Sequence, residues 1–195
     1  GSGVRNVGVG NQALLSLTDG QRNTAVGFTA GQLITTGENN IAIGYSAANG
    51  FDTENHNLAI GTDALGGSVA GGEYNVAIGN YTLDALTSGD FNTVMGYQAG
   101  SANTTGQQNV FIGYQAGKDA TTADGCTVVG RFAGGAGGTA TGNLNTFIGN
   151  SAGAVVTSAA NNTFVGSSAG AALTEGSDSV AIGFGAADAS TTMGR

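Results

Sequence analysis

A five-residue phrase, Asn-x-x-x-Gly, recurs along this chain at a nearly constant interval. That interval limits the fold more than any other feature of the sequence. The phrase ends at Gly10, Gly27, Gly44, Gly61, Gly79, Gly96, Gly113, Gly130, Gly149, Gly166 and Gly183. Successive glycines stand 17 residues apart, apart from one step of 18 (Gly61 to Gly79) and one of 19 (Gly130 to Gly149). Eleven repeats fill residues 1–195, which reads as a single repeat domain. With each of these glycines as position zero, position −4 is Asn in nine of the eleven repeats, the exceptions being Cys126 and Ser179. Position −1 is always Val, Ile or Met, and position +3 is Ala everywhere except Thr82. Position −7 is Gly in eight repeats, as at Gly20, Gly37 and Gly89.

Seventeen residues are too few for a helical-hairpin repeat, which needs roughly 30 or more. The fixed segment is rich in Val, Ile, Thr and Phe, which favour strands. Gly at −7 and zero and Asn at −4 are turn residues, Gly because it lacks a Cβ and Asn because its side chain bonds nearby backbone. Two strands of roughly five residues plus two tight turns would complete a coil. The pattern predicts an all-β parallel β-solenoid with one coil per repeat. Its asparagines would stack in a ladder, and its small alanines (Ala30, Ala47, Ala99, Ala116) would fill a thin interior. At about 4.8 Å per coil the rod would be about 50 Å long.

Charge sharpens the picture. None of the 13 acidic and 5 basic residues falls between −4 and zero. Side chains alternate across a strand, so −3 and −1 face one way and −2 the other, yet all three positions are apolar or Thr. Such a strand is suited to burial on both faces, and one thin coil covers only one. The expected solution is a closed homotrimer of rolls. Val26, Ile43, Ile60, Ile78, Met95, Ile112, Val129, Ile148, Val165 and Ile182 at −1 are then core or interface positions. So are Phe111, Phe147 and Phe164 at −2, which would thicken or rotate the second half of the bundle.

The quoted repeats resemble known families. NTAVGFTAG (23–31), NVAIGN (75–80) and SVAIGFGAA (179–187) look like the head repeats of trimeric autotransporter adhesins. NTVMGYQAG (92–100) and NVFIGYQAG (109–117) also resemble repeats in phage tail-fibre shafts. Both resemblances imply a left-handed parallel β-roll, assembled as a homotrimer and acting in attachment at a cell surface or on a virion tail. Adhesin heads use a shorter repeat, so the 17-residue unit leans toward the fibre group. The sequence shows no neck, coiled-coil stalk, membrane anchor or chaperone domain of those families.

Other function classes are poorly supported. The net charge of −8 lacks the basic patch that nucleic acid requires. No apolar run approaches the roughly 18 residues of a membrane span. His56, the lone His, lies at −5 in a turn and is a poor metal signature. Cys126 stands in an Asn position and has no identifiable activating base. The dense glycine-aspartate runs of calcium solenoids are missing, and GGAGG at 134–138 lacks the Lys-Ser/Thr of a phosphate loop. Acidic residues are scattered rather than paired as in a glycosidase. No catalysis, metal or cofactor is therefore expected.

Rings at +1 (Phe28, Tyr45, Tyr97, Tyr114, Phe184) either cover the roll edge or meet sugars. Tyr45, Tyr97, Tyr114, Glu73 and Tyr74 are the candidate recognition residues, for a cell-surface receptor or glycan. The two longer steps, at 66–74 and 134–144, are expected to bulge outward as surface loops. The sequence leaves two alternatives to an extracellular fibre segment. One is a subunit that docks end to end into filaments, since no polar cap is evident. The other is an ice-binding solenoid, for which the Thr at −3 are too interspersed with Val, Ile and Leu.

Overall fold

The computed structural model describes residues 4–67, 71–135 and 141–188. Among the described residues eleven strands, β1 (Val7–Val9) to β11 (Val180–Ile182), form one parallel sheet in strict chain order. Each occupies positions −3 to −1 of its repeat, and register is kept across the sheet: Ala25 pairs with Ala42, Ala42 with Ala59 and Phe147 with Phe164. This is the parallel β-solenoid that the repeat interval predicts, with one coil per repeat.

Each coil holds one strand of three residues rather than two longer ones. The rest of the coil is a chain of turns, because positive φ recurs at −5, zero, +2 and +4. In one coil these are Phe91 (57°), Gly96 (135°), Gln98 (52°) and Gly100 (57°). A second strand cannot run through alternate left-handed residues. The turns are bonded to neighbouring coils as firmly as the strand. The Thr35 carbonyl accepts the N–H groups of Thr18, Asp19 and Gly20 from the preceding coil, at 2.9, 3.1 and 3.1 Å. At zero the coils approach so closely that a Cβ on Gly96 would run into the Gly113 carbonyl of the next coil. Position zero therefore needs glycine for space as well as for its φ.

Position −4 points inward and forms a buried amide ladder. Asn23 Nδ2 donates to the Gly37 carbonyl of the next coil (2.7 Å), and Asn23 Oδ1 accepts the Asn40 N–H (3.0 Å). The same two bonds recur from Asn40, Asn57, Asn75, Asn92, Asn109, Asn145 and Asn162. Cys126 keeps the pattern weakly. Its Sγ donates to the Gly142 carbonyl at 3.4 Å and accepts the Asn145 N–H at 3.5 Å.

The apolar interior is built from −2, +3, +4 and +7. Alanines at +3 such as Ala30, Ala47 and Ala99 are fully buried. The other three positions vary in concert. One coil uses Ala42, Ala48 and Phe51, the next but one uses Ala77, Leu83 and Leu86, and a later one uses Phe111, Gly117 and Ala120. The +4 glycines make room for rings. A Cβ on Gly117 would stand 2.8 Å from the Phe111 ring, and one on Gly153 would stand 2.8 Å from Phe147. Phe111, Phe147 and Phe164 are thus inside their own coils. They fill the roll rather than thicken an outer contact, and each contributes about 2–3 kcal/mol by burial.

In the coil with Gly134 at +4 and Val128 at −2, a small apolar cavity remains. Phe111, Cys126, Val128, Gly134, Phe147 and Val156 are among the residues that line it. The 66–74 and 134–144 loops fall partly outside the described residues. At the first, Glu54 stands at −7 in place of Gly. Its buried carboxylate accepts the N–H groups of Asp52 (2.6 Å), Thr53 (3.1 Å) and Gly71 (3.0 Å), tying the longer coil back to the roll.

Two outcomes follow. Asn92→Ala strips the acceptor from the buried Asn109 N–H and is expected to cost about 2–3 kcal/mol, whereas Asn150→Ala on the surface costs close to nothing. Midpoints of guanidinium unfolding compare them, and equal midpoints would remove the ladder from its structural role. Val128→Phe should fill the cavity and raise stability by about 1 kcal/mol, read as a higher melting temperature. A fall would show that the space is already closed to a ring.

Candidate interaction surface

The residues left outside the core organise one face of the rod. Strand side chains at −3 and −1 point outward and run as two columns along the sheet. At −1 they include Ile43 (37% exposed), Met95 (43%), Ile112 (37%) and Ile148 (40%), and at −3 Ile41 (40%). Val26, Ile60, Ile78, Val129 and Val165 are half-buried in the same column, and Ile182 at its end is exposed. The −2 side chains beneath them, such as Ala59, Val94 and Phe111, are fully buried. In the single chain, then, the strand is covered on one side and open on the other.

The face is bordered by two columns that also point outward. At −5, His56, Tyr74 and Phe91 stack in succession, with ring centroids 4.8 and 5.1 Å apart and planes within 7°. Lower on the same border, Arg22 Nε donates to Asn39 Oδ1 (2.8 Å), and its guanidinium pairs with Glu38 at 2.6 Å. At +1, Phe28 stacks on Tyr45 (5.4 Å) and Tyr97 on Tyr114 (5.5 Å). Tyr81 at +2 meets Tyr97 edge-on at 6.0 Å. Arg131 lies over the Phe132 ring, 4.1 Å from its centroid. The coil spacing brings equivalent side chains to ring-stacking distance, so each ring caps its neighbour's face.

The structure places the sequence-derived recognition residues on these borders. Tyr45, Tyr97 and Tyr114 are exposed at +1, and Tyr74 is exposed at −5. Because the rings stack on one another, they present edges and hydroxyl groups outward rather than free faces. Glu73 has a different setting. Its Oε1 accepts from Asn55 Nδ2 (2.8 Å), and its N–H donates to Asp90 Oδ1 (2.8 Å). It belongs to a second ladder, at −6, which sequence reasoning missed. In that ladder a side-chain oxygen of one coil accepts the N–H of the coil before it. Glu38 N–H goes to Asn55, Gln107 N–H to Asp124 and Asp124 N–H to Asn143, at 2.7–2.9 Å. The available signal was the run of Asn, Asp and Glu at −6.

Titratable groups outside these ladders are sparse. Burial pushes the Cys126 thiol up, against weaker lowering by hydrogen bonds from Asn145 and Leu144, so it is held as the neutral thiol. His56 is exposed and stacked on Tyr74. Asp84 is half-buried, and its Oδ1 has no hydrogen-bond partner among the described residues. Burial pushes its carboxyl up, and the Asp63 charge adds to this, against a hydrogen bond with its own backbone. No group of three or more metal-ligating side chains occurs among the described residues. No described helix is long and apolar enough to cross a membrane.

Compared with protein-family models, with curated proteins and with solved structures, the chain matches none. The fold itself defines a class: a rigid, repetitive all-β solenoid of the kind found in fibrous, repeat-based structural proteins.

A raised folded-state pKa means that the charged Asp84 carboxylate costs stability, a cost that is absent at acid pH and complete above the raised pKa. Asp84→Asn is therefore expected to unfold at a higher temperature than the parent at neutral pH. The gap should vanish at low pH, where the carboxyl is protonated in both states. Thermal melts at several pH values check this, and a gap that grows toward acid pH would reverse the assignment.

Proposed function

We propose that this chain is a shaft segment of a homotrimeric extracellular fibre, of the tail-fibre or adhesin type. It serves as a rigid, non-enzymatic spacer that supports attachment to a cell surface. The observation that carries this reading is the open apolar face: two aliphatic columns run along a sheet whose reverse side is the closed core. The face repeats at the coil spacing, so a partner that fills it along its length must share that period. A second copy of the chain does so without further specification.

Size and charge favour the same occupant. A face about 50 Å long and about 20 Å wide, counting its borders, is roughly 1,000 Å² per chain. That exceeds the roughly 800 Å² per partner of a standard stable interface. No charged side chain lies at −3 or −1 in any coil, so copies meet there without desolvating charge. Closed association of three copies hides the face completely, whereas an open array leaves an unsatisfied edge. The outward turns carry the acidic and hydroxyl side chains and keep the assembly soluble. Supporting an extracellular role is the likeness of repeats such as NVFIGYQAG (109–117) to fibre and adhesin repeats. The mechanism is mechanical: coil-to-coil hydrogen bonds and burial on both sheet faces give a stiff rod that proteases enter poorly.

Light scattering on dilute protein should give three times the 18.9 kDa chain mass. Ile43→Lys combined with Ile112→Lys puts six unpaired charges inside the assembly and should reduce the mass to that of one chain. Thr36→Lys, on an exposed turn, should leave it unchanged. A folded parent protein that runs as a single chain at micromolar concentration would end the fibre reading.

A further inference from the structure

The two borders of the open face differ, and the difference says how copies meet. Resting on the trimeric reading above, we propose that the copies associate cyclically and in register. The −5 border of each copy then lies against the +1 border of the next. When a flat face is turned toward a three-fold axis, its left and right borders meet different neighbours. Rotation about that axis brings unlike borders together. Rotation adds no translation along the axis, so with the axis parallel to the rod every coil meets the same coil of its neighbour.

Within each coil the two border residues suit this meeting. Phe91 at −5 faces a neighbour's Tyr97 at +1, adding an aromatic contact between two stacked columns. Arg22 faces Phe28, an exposed ring at the end of the Phe28–Tyr45 stack, which gives a cation–π contact. Arg131 at +1 faces Gly125, where the Leu144 side chain of the following coil covers the border. Asp178 faces Phe184, and Arg5 faces Asn11. In no coil do the two borders bring like charges together. The alternative, an antiparallel face-to-face packing about a two-fold axis across the rod, sets each border against itself. It offers no such coil-by-coil match and leaves the aromatic edges in water.

Cross-linking tests this. Cysteines replace Phe91 and Tyr97 in a Cys126→Asn background, which removes the native thiol and restores the ladder. The two positions lie six residues apart along an extended segment, about 20 Å. A disulfide requires Cα atoms within about 7 Å, so a bond between them must join different chains. Under mild oxidation the expected product is a covalent species of three chains on a non-reducing gel. Phe91→Cys alone should stay uncross-linked. Arg22→Cys with Phe28→Cys is the second pair, used if the first disturbs folding.

Light scattering is run on the same samples. A three-chain mass with no cross-linked product from either pair overturns the border pairing and leaves the fibre reading standing. Cross-linked dimers from Phe91→Cys alone establish an antiparallel two-fold packing and also overturn it. A single-chain mass for the reduced background protein overturns both.

Discussion

Everything else in this molecule depends on a buried side-chain amide that must be satisfied twice. An asparagine sealed in the interior loses several kilocalories per mole unless its donor and acceptor both find partners. Here both partners belong to the next coil. The Nδ2 group takes the carbonyl at −7, and the Oδ1 atom takes the backbone N–H at −4. That arrangement works only if the next coil returns to the same place after the same path. Coil length is thus a condition for satisfying polar groups rather than a matter of chain economy. Extra residues are tolerated only between the ladder points, as the steps of 18 and 19 residues are.

The same rule makes the interior a series of separate packing problems. Because the backbone path is fixed, −2, +4 and +7 of a coil share one interior space. A ring at one of these positions demands glycine or alanine at another, as Phe111 does with Gly117 and Ala120. The coil of Val128 and Gly134 keeps a small cavity. It is also where Cys126 replaces asparagine and where the longest loop departs. Stability in such an array is close to a sum over neighbours, so these local deficits do not spread along the rod.

The parts of this design that showed in the sequence were those where one residue type does one job. Asn at −4, Gly at zero and Ala at +3 announced the ladder, the tight approach and the thin core. The alternation of −3, −2 and −1 announced an outer apolar face. The −6 ladder did not show, because Asn55, Asp90, Asp124 and Asn143 share only a suitably placed side-chain oxygen. The second strand was expected and is absent for a related reason. Residues such as Gln98, Ser46 and Leu83 adopt positive φ, which nothing in their chemistry favours. Stacking on neighbouring coils imposes that conformation, and a lone repeat gives no sign of it. The packing of −2, +4 and +7 was hidden because no single residue type marks any of the three positions.

Because strands and ladders bond each coil only to those beside it, the rod holds its chain length in discrete parcels. A pull on one terminus loads the outermost coil first and leaves those behind it intact. Releasing one coil frees 17 residues, about 60 Å of slack chain, in exchange for a few angstroms of rod. Such an object lengthens by steps under tension and rewinds when the tension drops. A tether that must survive sudden loads at its far end gains from that property whatever it is holding.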